Sequence, residues 1–205
     1  LRREHESLYK NLAVNAAVKV LDIGCGGGKS HLKPSSKCHL TGMDLSLASL
    51  MNAKQIYDEV YCASALSMQF ADSTFDCVCS FDVIGHVPND IKDKLLSEIY
   101  RVLKPGGVTF HYIEVDSPKG YNDWAKQHTA LYRKYFIDLE GHIGLEYYKD
   151  AMSRFDKNGF QIIKYKGIGK WFLPPGEFQK RFNNEYREKS RVVKAHPLFR
   201  AFISA

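Results

Sequence analysis

The sequence predicts an α/β chain built on an open, mostly parallel sheet, and three observations carry that prediction. The first is VLDIGCGGG, residues 20 to 28, an apolar run with a β-branched bias that runs into Gly24, Gly26, Gly27 and Gly28. Such a run reads as a buried strand, and the glycines let the backbone bend sharply or let a ligand approach closely. The second is HLTGMD, residues 39 to 44, whose closing Asp44 stands about 20 residues after Gly24, where a carboxylate reaches ribose hydroxyls in nucleotide-binding βαβ units. The third is the downstream alternation of the apolar run DCVCSFDV, a helical-period segment from Asn89 and a further strand VTFHYIEV. Strands alternating with helices give a sheet of parallel strands.

The elements follow in order. Residues 1 to 19 predict one short helix, with Leu8, Leu12 and Val14 or Ala16 inward. After the glycine turn, KSHLKPSSK supports a turn or two of helix before Pro34 ends it. The strand at residues 39 to 44 yields to a helix with Ser46 as N-cap and Leu47, Leu50 and Met51 facing in. A short strand from Val60 to Cys62 leads into the loop SALSMQFADSTF, and DCVCSFDV then reads as a central strand buried on both faces. Asn89 is the predicted N-cap of the next helix. Ile91, Leu95, Leu96, Ile99, Val102 and Leu103 recur on its inner side until LKPGG stops it ahead of VTFHYIEV.

Past that strand, Trp124, His128, Leu131, Tyr132 and Tyr135 recur at helical spacing, so residues 117 to 143 predict a helical lid or insertion with an aromatic stripe. Such a stripe either packs a core or closes over a site. Residues 144 to 176 predict a closing helix ending at Gly159 and then strands in FQIIKYKGI and KWFLPPG. The tail, 177 to 205, carries seven basic against three acidic side chains, and Phe178, Phe182 and Tyr186 mark an amphipathic basic helix. It reads as a solvated docked helix, or as a surface for an acidic partner, an anionic acceptor or an acidic lipid.

With 205 residues and 44% hydrophobic content, the chain can bury a sizeable core as a single domain. It begins at Leu1 with no signal-peptide apolar region and reads as a partial chain. Five cysteines, at 25, 38, 62, 77 and 79, are an odd number without metal spacing. Reduced thiols in a cytoplasmic protein are the expectation. No nucleic-acid signature, repeat or low-complexity run appears.

Asp22 lies inside the first apolar strand, where a carboxylate must answer a donor or a cation. DIGCGGG resembles the acid-x-Gly-x-Gly-x-Gly signature of class I S-adenosylmethionine-dependent methyltransferases. SALSMQFADSTFDCV is similar to the family phrase DALxLPFxDxSFDxV, with Ser64 in place of the acid. A hydroxyl there can still hydrogen-bond an amine but carries no charge. FDVIGHV is similar to the family's LEHV, with Gly85 where Glu is common and His86 matching, and RVLKPGG is a family phrase before strand five. The resemblance covers roughly residues 18 to 116, the cofactor-binding core.

The resemblance implies a Rossmann-like three-layer sandwich with a mostly parallel seven-stranded sheet and an antiparallel last strand. It implies S-adenosyl-L-methionine as cofactor and S-adenosyl-L-homocysteine as product. Asp22 would steer the methionyl end, bordered by Gly24, Cys25 and Gly26, and Asp44 would take the ribose. Ser64, Ala65 and Leu66 would meet the adenine, with Leu45 and Phe81 completing the cofactor-binding set. His86 would be the catalytic proton acceptor, against the alternative that it only packs at a helix entrance. Asp82, His111 and Tyr112 stand near the same strand ends. The acceptor would be a small molecule, a sugar or a lipid-linked compound, methylated by in-line displacement. Two other readings stay open: a non-catalytic binding module of this fold, and a nicotinamide-dependent oxidoreductase. Binding of S-adenosylhomocysteine against NAD separates off the oxidoreductase, and an activity screen against sugar, lipid and small-amine acceptors separates off the binding module.

Overall fold

The computed structural model describes residues 18–29, 38–116, 121–165, 180, 181 and 183–186. Five strands form one parallel sheet: β1 (Val18–Ile23), β2 (Cys38–Asp44), β3 (Glu59–Cys62), β4 (Phe75–Phe81) and β5 (Leu103–Tyr112). Their spatial order is β3-β2-β1-β4-β5. The order reverses beside β1, where Val20 pairs with Leu40 on one side and Cys77 on the other. In an open sheet of this kind the crevice beyond the carboxyl ends at such a reversal is where ligands bind.

Side chains alternate across the sheet. Val20 joins Leu40, Leu50, Ala53 and Tyr57 on one face, and Leu21 and Ile23 join Phe75, Leu96, Ile99 and Val102 on the other. Each of these aliphatic side chains, once fully buried, contributes about 1.5–3 kcal/mol. Asp22 falls on the first face and is fully buried. The predicted central strand is β4, flanked by β1 and β5.

Helix α1 (Leu47–Ala53) begins as its sequence predicts, with Ser46 Oγ accepting from Ser49 N at 3.2 Å. Its inner face differs. Leu50 and Ala53 are buried, whereas Leu47 and Met51 are exposed, so the helix is rotated from the predicted stripe. Helix α2 (Lys92–Val102) buries Leu95, Leu96, Ile99 and Val102 as expected. Its N-cap is Ile91 and not Asn89, because Ile91 N first closes a turn onto Pro88 O at 3.2 Å and the helix starts only after it.

LKPGG does more than stop that helix. Leu103 already pairs with Phe75, and the ladder resumes at Cys77 and Val108, so the residues between form a bulge inside β5. Gly106 has φ +75°, and a Cβ on Gly107 would lie 2.8 Å from Lys104 O.

The predicted single helix after β5 is broken into α3 (Tyr121–Lys126), α4 (Thr129–Tyr132) and a π-helical continuation, Arg133–Leu139. His128, at φ −103° and ψ 62°, is the break. Trp124, Leu131, Tyr135 and Phe136 are buried in a cluster of their own, against which Tyr132 and Tyr186 pack. The stripe is therefore core. Helix α5 (Tyr148–Lys157) ends as predicted before Gly159, whose φ is +88°.

The seven-stranded sheet with an antiparallel last strand is not what forms among the described residues: the sheet has five strands, all parallel. Gln161 to Tyr165 take no strand and are exposed, Ile163 at 82%. A β-branched run becomes a strand only when a neighbour strand and a core receive it. The predicted N-terminal helix, most of the first crossover, the KWFLPPG strand, Phe178 and Phe182, and the tail after Tyr186 lie outside the described residues.

Candidate active site

The glycine turn is held on the end of β2. Gly24 N and Cys25 N both donate to Met43 O, at 2.7 and 3.0 Å, and Gly26 N donates to Asp44 Oδ2 at 2.8 Å. Asp44 Oδ1 accepts from Ser46 N at 2.8 Å, so one carboxylate fixes both the turn and the start of α1. Each of its oxygens keeps further acceptor capacity. Gly24 and Gly26 both take positive φ, but for different reasons. A Cβ on Gly24 would collide with Val83, whereas one on Gly26 would meet nothing within 4 Å. Gly26 therefore borders open space at the crevice, as a ligand-facing turn requires.

Asp22 closes the floor of this turn. Tyr57 donates its hydroxyl to Asp22 Oδ2 at 2.6 Å, Lys29 Nζ lies 3.3 Å from the same oxygen, and Cys79 Sγ lies 3.8 Å from Oδ1. Burial raises the Asp22 pKa, and Lys29, Tyr57 and Cys79 oppose that shift. Burial, with Asp22 and Asp44 nearby, pushes the Cys25 thiol up to about 12, which keeps it protonated and unreactive. Neither Tyr57 nor Lys29 was singled out from the sequence. The only signals were their polar groups next to apolar runs, at the end of α1 and just past the glycines.

The residues expected to meet the adenine follow β3. Ala63 N donates to Asp44 O at 3.2 Å, which brings Ser64, Ala65 and Leu66 beside the end of β2. Ser64 Oγ accepts from Leu66 N at 3.2 Å, while Ala65 and Leu66 pack against the core. Leu45 is exposed at the same edge. Phe81 stands at the end of β4, its ring edge-on to Phe110 and 5.3 Å from Lys29 Nζ.

His86 belongs to a second cluster at the ends of β4 and β5. Its Nδ1 is 3.0 Å from Gly141 O. A carbonyl only accepts, so Nδ1 is the donor and Nε2 is the nitrogen left over for a proton from outside. The His142 ring lies 4.9 Å from that of His86, and His142 Nε2 is 2.7 Å from Glu114 Oε2. Burial and then Glu114 raise the Asp82 pKa, opposed by His86, His142 and Lys29. Gly144 N donates to Gly85 O at 3.0 Å, and a Cβ on Gly144 would run into Val87 O. A Cβ on Gly85 would come 3.2 Å from Leu145. Glycine at 144 is what lets the segment carrying His142 dock against Gly85 and Val87. The glycines of GHIG were the available sign of this close approach.

His111 is placed differently from its strand-end position. Its Nδ1 is 2.7 Å from Ser80 Oγ and its Nε2 2.6 Å from Thr109 Oγ1, so both nitrogens are engaged within the sheet. It is a structural residue. Among the described residues no group of three or more His, Cys, Asp or Glu could hold a metal ion.

The glycine turn after β1 and the His86 cluster after β4 thus lie at the carboxyl ends of neighbouring strands. The family model described as a methyltransferase domain matches residues 21–111. The 24-methylenesterol C-methyltransferase 3 of Arabidopsis thaliana is 32% identical over 187 residues, 85% of this chain and 50% of that protein. Residues 21–111 carry a methyltransferase domain of the class I S-adenosylmethionine-dependent family. The sterol 24-C-methyltransferase of Kluyveromyces lactis is 27% identical over all of this chain and 58% of its own length. The chain thus spans about half the length of these curated relatives. Among solved structures, phosphoethanolamine N-methyltransferase 2 of Haemonchus contortus, in complex with S-adenosyl-L-methionine, has a TM-score of 0.59 at 21% identity. It covers 98% of this chain and 47% of that one. The YcgJ protein of Bacillus subtilis has a TM-score of 0.64 at 21% identity, over 91% and 81% of the two chains. At these identities the structural likeness shows the fold, and that fold is the Rossmann-like one of this family.

Proposed function

We propose that this chain transfers the methyl group of S-adenosylmethionine to an apolar, sterol-like small molecule. The observation that carries the apolar acceptor is a pair of exposed apolar residues that follow members of the His86 cluster in sequence. Val115, after Glu114, and Ile143, after His142, leave 37% and 48% of their surface exposed. Exposed apolar residues beside polar ones in the chain suit a lipid whose single reactive position must be oriented. The named sterol methyltransferases among the relatives support the same class.

The cofactor supplies an activated sulfonium methyl, so the protein's part is to bind, orient and keep the site dry. Asp22 and the carbonyls of Gly24 and Cys25 receive the α-ammonium of the methionyl end. Asp44 accepts from the ribose hydroxyls with the lone pairs that Gly26 N and Ser46 N leave over. Ser64 to Leu66 and Leu45 border the adenine. An acceptor oxygen or nitrogen sheds a proton on methylation, and an alkene carbon that attacks through its π electrons sheds one from the resulting cation. His86 Nε2 takes that proton, and the Asp82 and Glu114 carboxylates offset the charge that appears on the ring.

The test is incubation with deuteromethyl S-adenosylmethionine and a panel holding a 24-methylenesterol, a sugar and a small amine, read by mass spectrometry. A mass increase of the sterol is expected. Labelling of the sugar or the amine alone overturns the acceptor class.

A further inference from the structure

We propose that Lys29 is a built-in competitor for the cofactor's α-ammonium and so determines how strongly the amino-acid end of a ligand is bound. This rests on the reading of the Asp22 floor as the methionyl site. Lys29 Nζ lies 3.3 Å from Asp22 Oδ2, 3.1 Å from Gly24 O and 3.3 Å from Cys25 O. A primary ammonium has three N–H groups, and these three acceptors use all of them. One buried carboxylate and two backbone carbonyls are also the acceptors that a methionyl α-ammonium would take. A second ammonium on the same three acceptors would find them engaged by Lys29 and would be repelled by its charge.

The side chain spans the crevice rather than lining it. It starts after the glycine turn, where Lys29 N donates to Tyr57 OH at 3.2 Å, and its ammonium ends 5.3 Å over the Phe81 ring at the end of β4. It thus crosses from β1 toward β4, the place where the strand order reverses. Its side chain is 22% exposed, against 0% for Asp22, so the lysine has a way out and the carboxylate does not. Ligand entry exchanges one primary ammonium for another. Asp22 keeps a cationic partner before and after, which avoids an unpaired buried charge in the empty protein. A ligand with an amino-acid end must displace Lys29, and a ligand with only the adenosine and thioether need not.

The test is calorimetric titration of S-adenosylhomocysteine and of 5′-methylthioadenosine, which lacks the amino-acid end, into the wild type and Lys29→Met. The substitution should tighten S-adenosylhomocysteine about tenfold and leave 5′-methylthioadenosine unchanged. An unchanged or weakened S-adenosylhomocysteine affinity overturns the proposal. Lys29→Gln keeps a neutral donor for Asp22, and the same tightening is required of it should Lys29→Met fail to fold. Adding Asp22→Asn to either variant should weaken S-adenosylhomocysteine alone. If it does not, while 5′-methylthioadenosine still binds, the methionyl end lies elsewhere and the site reading itself fails. If Asp22→Asn weakens binding and neither Lys29 variant tightens it, the site reading stands and Lys29 is no competitor. Absence of binding of both ligands to every protein sinks both.

Discussion

The Tyr57 hydroxyl donates to Asp22 Oδ2 across 2.6 Å, so a side chain placed after α1 holds the carboxylate at the end of β1. Gly42 makes room for it, since a Cβ there would stand 2.8 Å from Tyr57 Cδ1 and 2.9 Å from Cys25 Sγ. The surroundings of the Asp22 carboxylate below the glycine turn are therefore built from three consecutive pieces of chain. Asp22 comes from the first strand, the opening for Tyr57 from the second, and Tyr57 itself from the turn before the third.

Tyr57→Phe removes the hydroxyl and leaves the ring. A hydrogen bond to a charged group is worth about 1.5–3 kcal/mol, and the variant should lose that much stability in urea unfolding. Lys29 N loses its acceptor in the same step. Unfolding indistinguishable from wild type would mean that water replaces the hydroxyl on Asp22.

What the sequence made legible is what depends on local backbone demand. The glycine turn, Asp44, the Ser46 cap and the four buried aliphatic positions of α2 each follow from a spacing or a φ that few residues tolerate. What it hid depends on contacts between distant segments. Lys92 is buried with its ammonium on Gly144 O and 3.1 Å from Glu146, and no pattern around residue 92 announces a partner more than fifty residues away. His142 reaches His86 because Gly144, with no Cβ, lets its loop touch the backbone of Gly85 and Val87. The aromatic stripe was visible, but its break at His128 was not, since that break serves a separate cluster with Tyr186.

Asp44→Ala should weaken S-adenosylhomocysteine by about 1–3 kcal/mol, the cost of leaving ribose hydroxyls without their acceptor. It should also lower the melting temperature, because Gly26 N and Ser46 N lose the carboxylate that ties the turn to α1. Calorimetry on protein shown to be folded separates the two effects. A lower melting temperature with unchanged affinity would leave Asp44 as a purely structural tie.

His111 should make the fold acid-sensitive. Thr109 Oγ1 spends its proton on Val78 O at 2.8 Å, so it accepts from His111 Nε2–H, and Nδ1 accepts from Ser80. Burial of this neutral ring pushes its pKa down from 6.5 to about 3. Above the unfolded value neither state binds the proton and the contribution is fully present. Between pH 6.5 and about 3 only the unfolded chain is protonated, so stability falls as pH falls, by up to about 1.4 kcal/mol per unit. His111→Asn should flatten the difference in unfolding free energy across that window. Parallel wild-type and variant curves would place the acid sensitivity in the carboxylates.

His86→Gln tests the proton acceptor. The amide can still donate toward Gly141 O but offers no basic nitrogen, so the docking of the 141–145 segment should survive while proton removal does not. Turnover of the 24-methylenesterol should fall by about 10²–10⁴-fold, the contribution usual for a positioned base. S-adenosylhomocysteine affinity should stay within about twofold, because the Asp22 and Asp44 contacts are made by other strands. Glu114→Gln removes the charge beside His142 and should lower turnover less, since the groups around His86 Nε2 other than that carboxylate stay in place. The ordering is the informative part. A large loss for Glu114→Gln with little loss for His86→Gln would move the base to His142, whose ring lies 4.9 Å away. Loss of cofactor affinity in both variants, with matching losses of thermal stability, would reduce His86 to a packing residue at the entrance to α2.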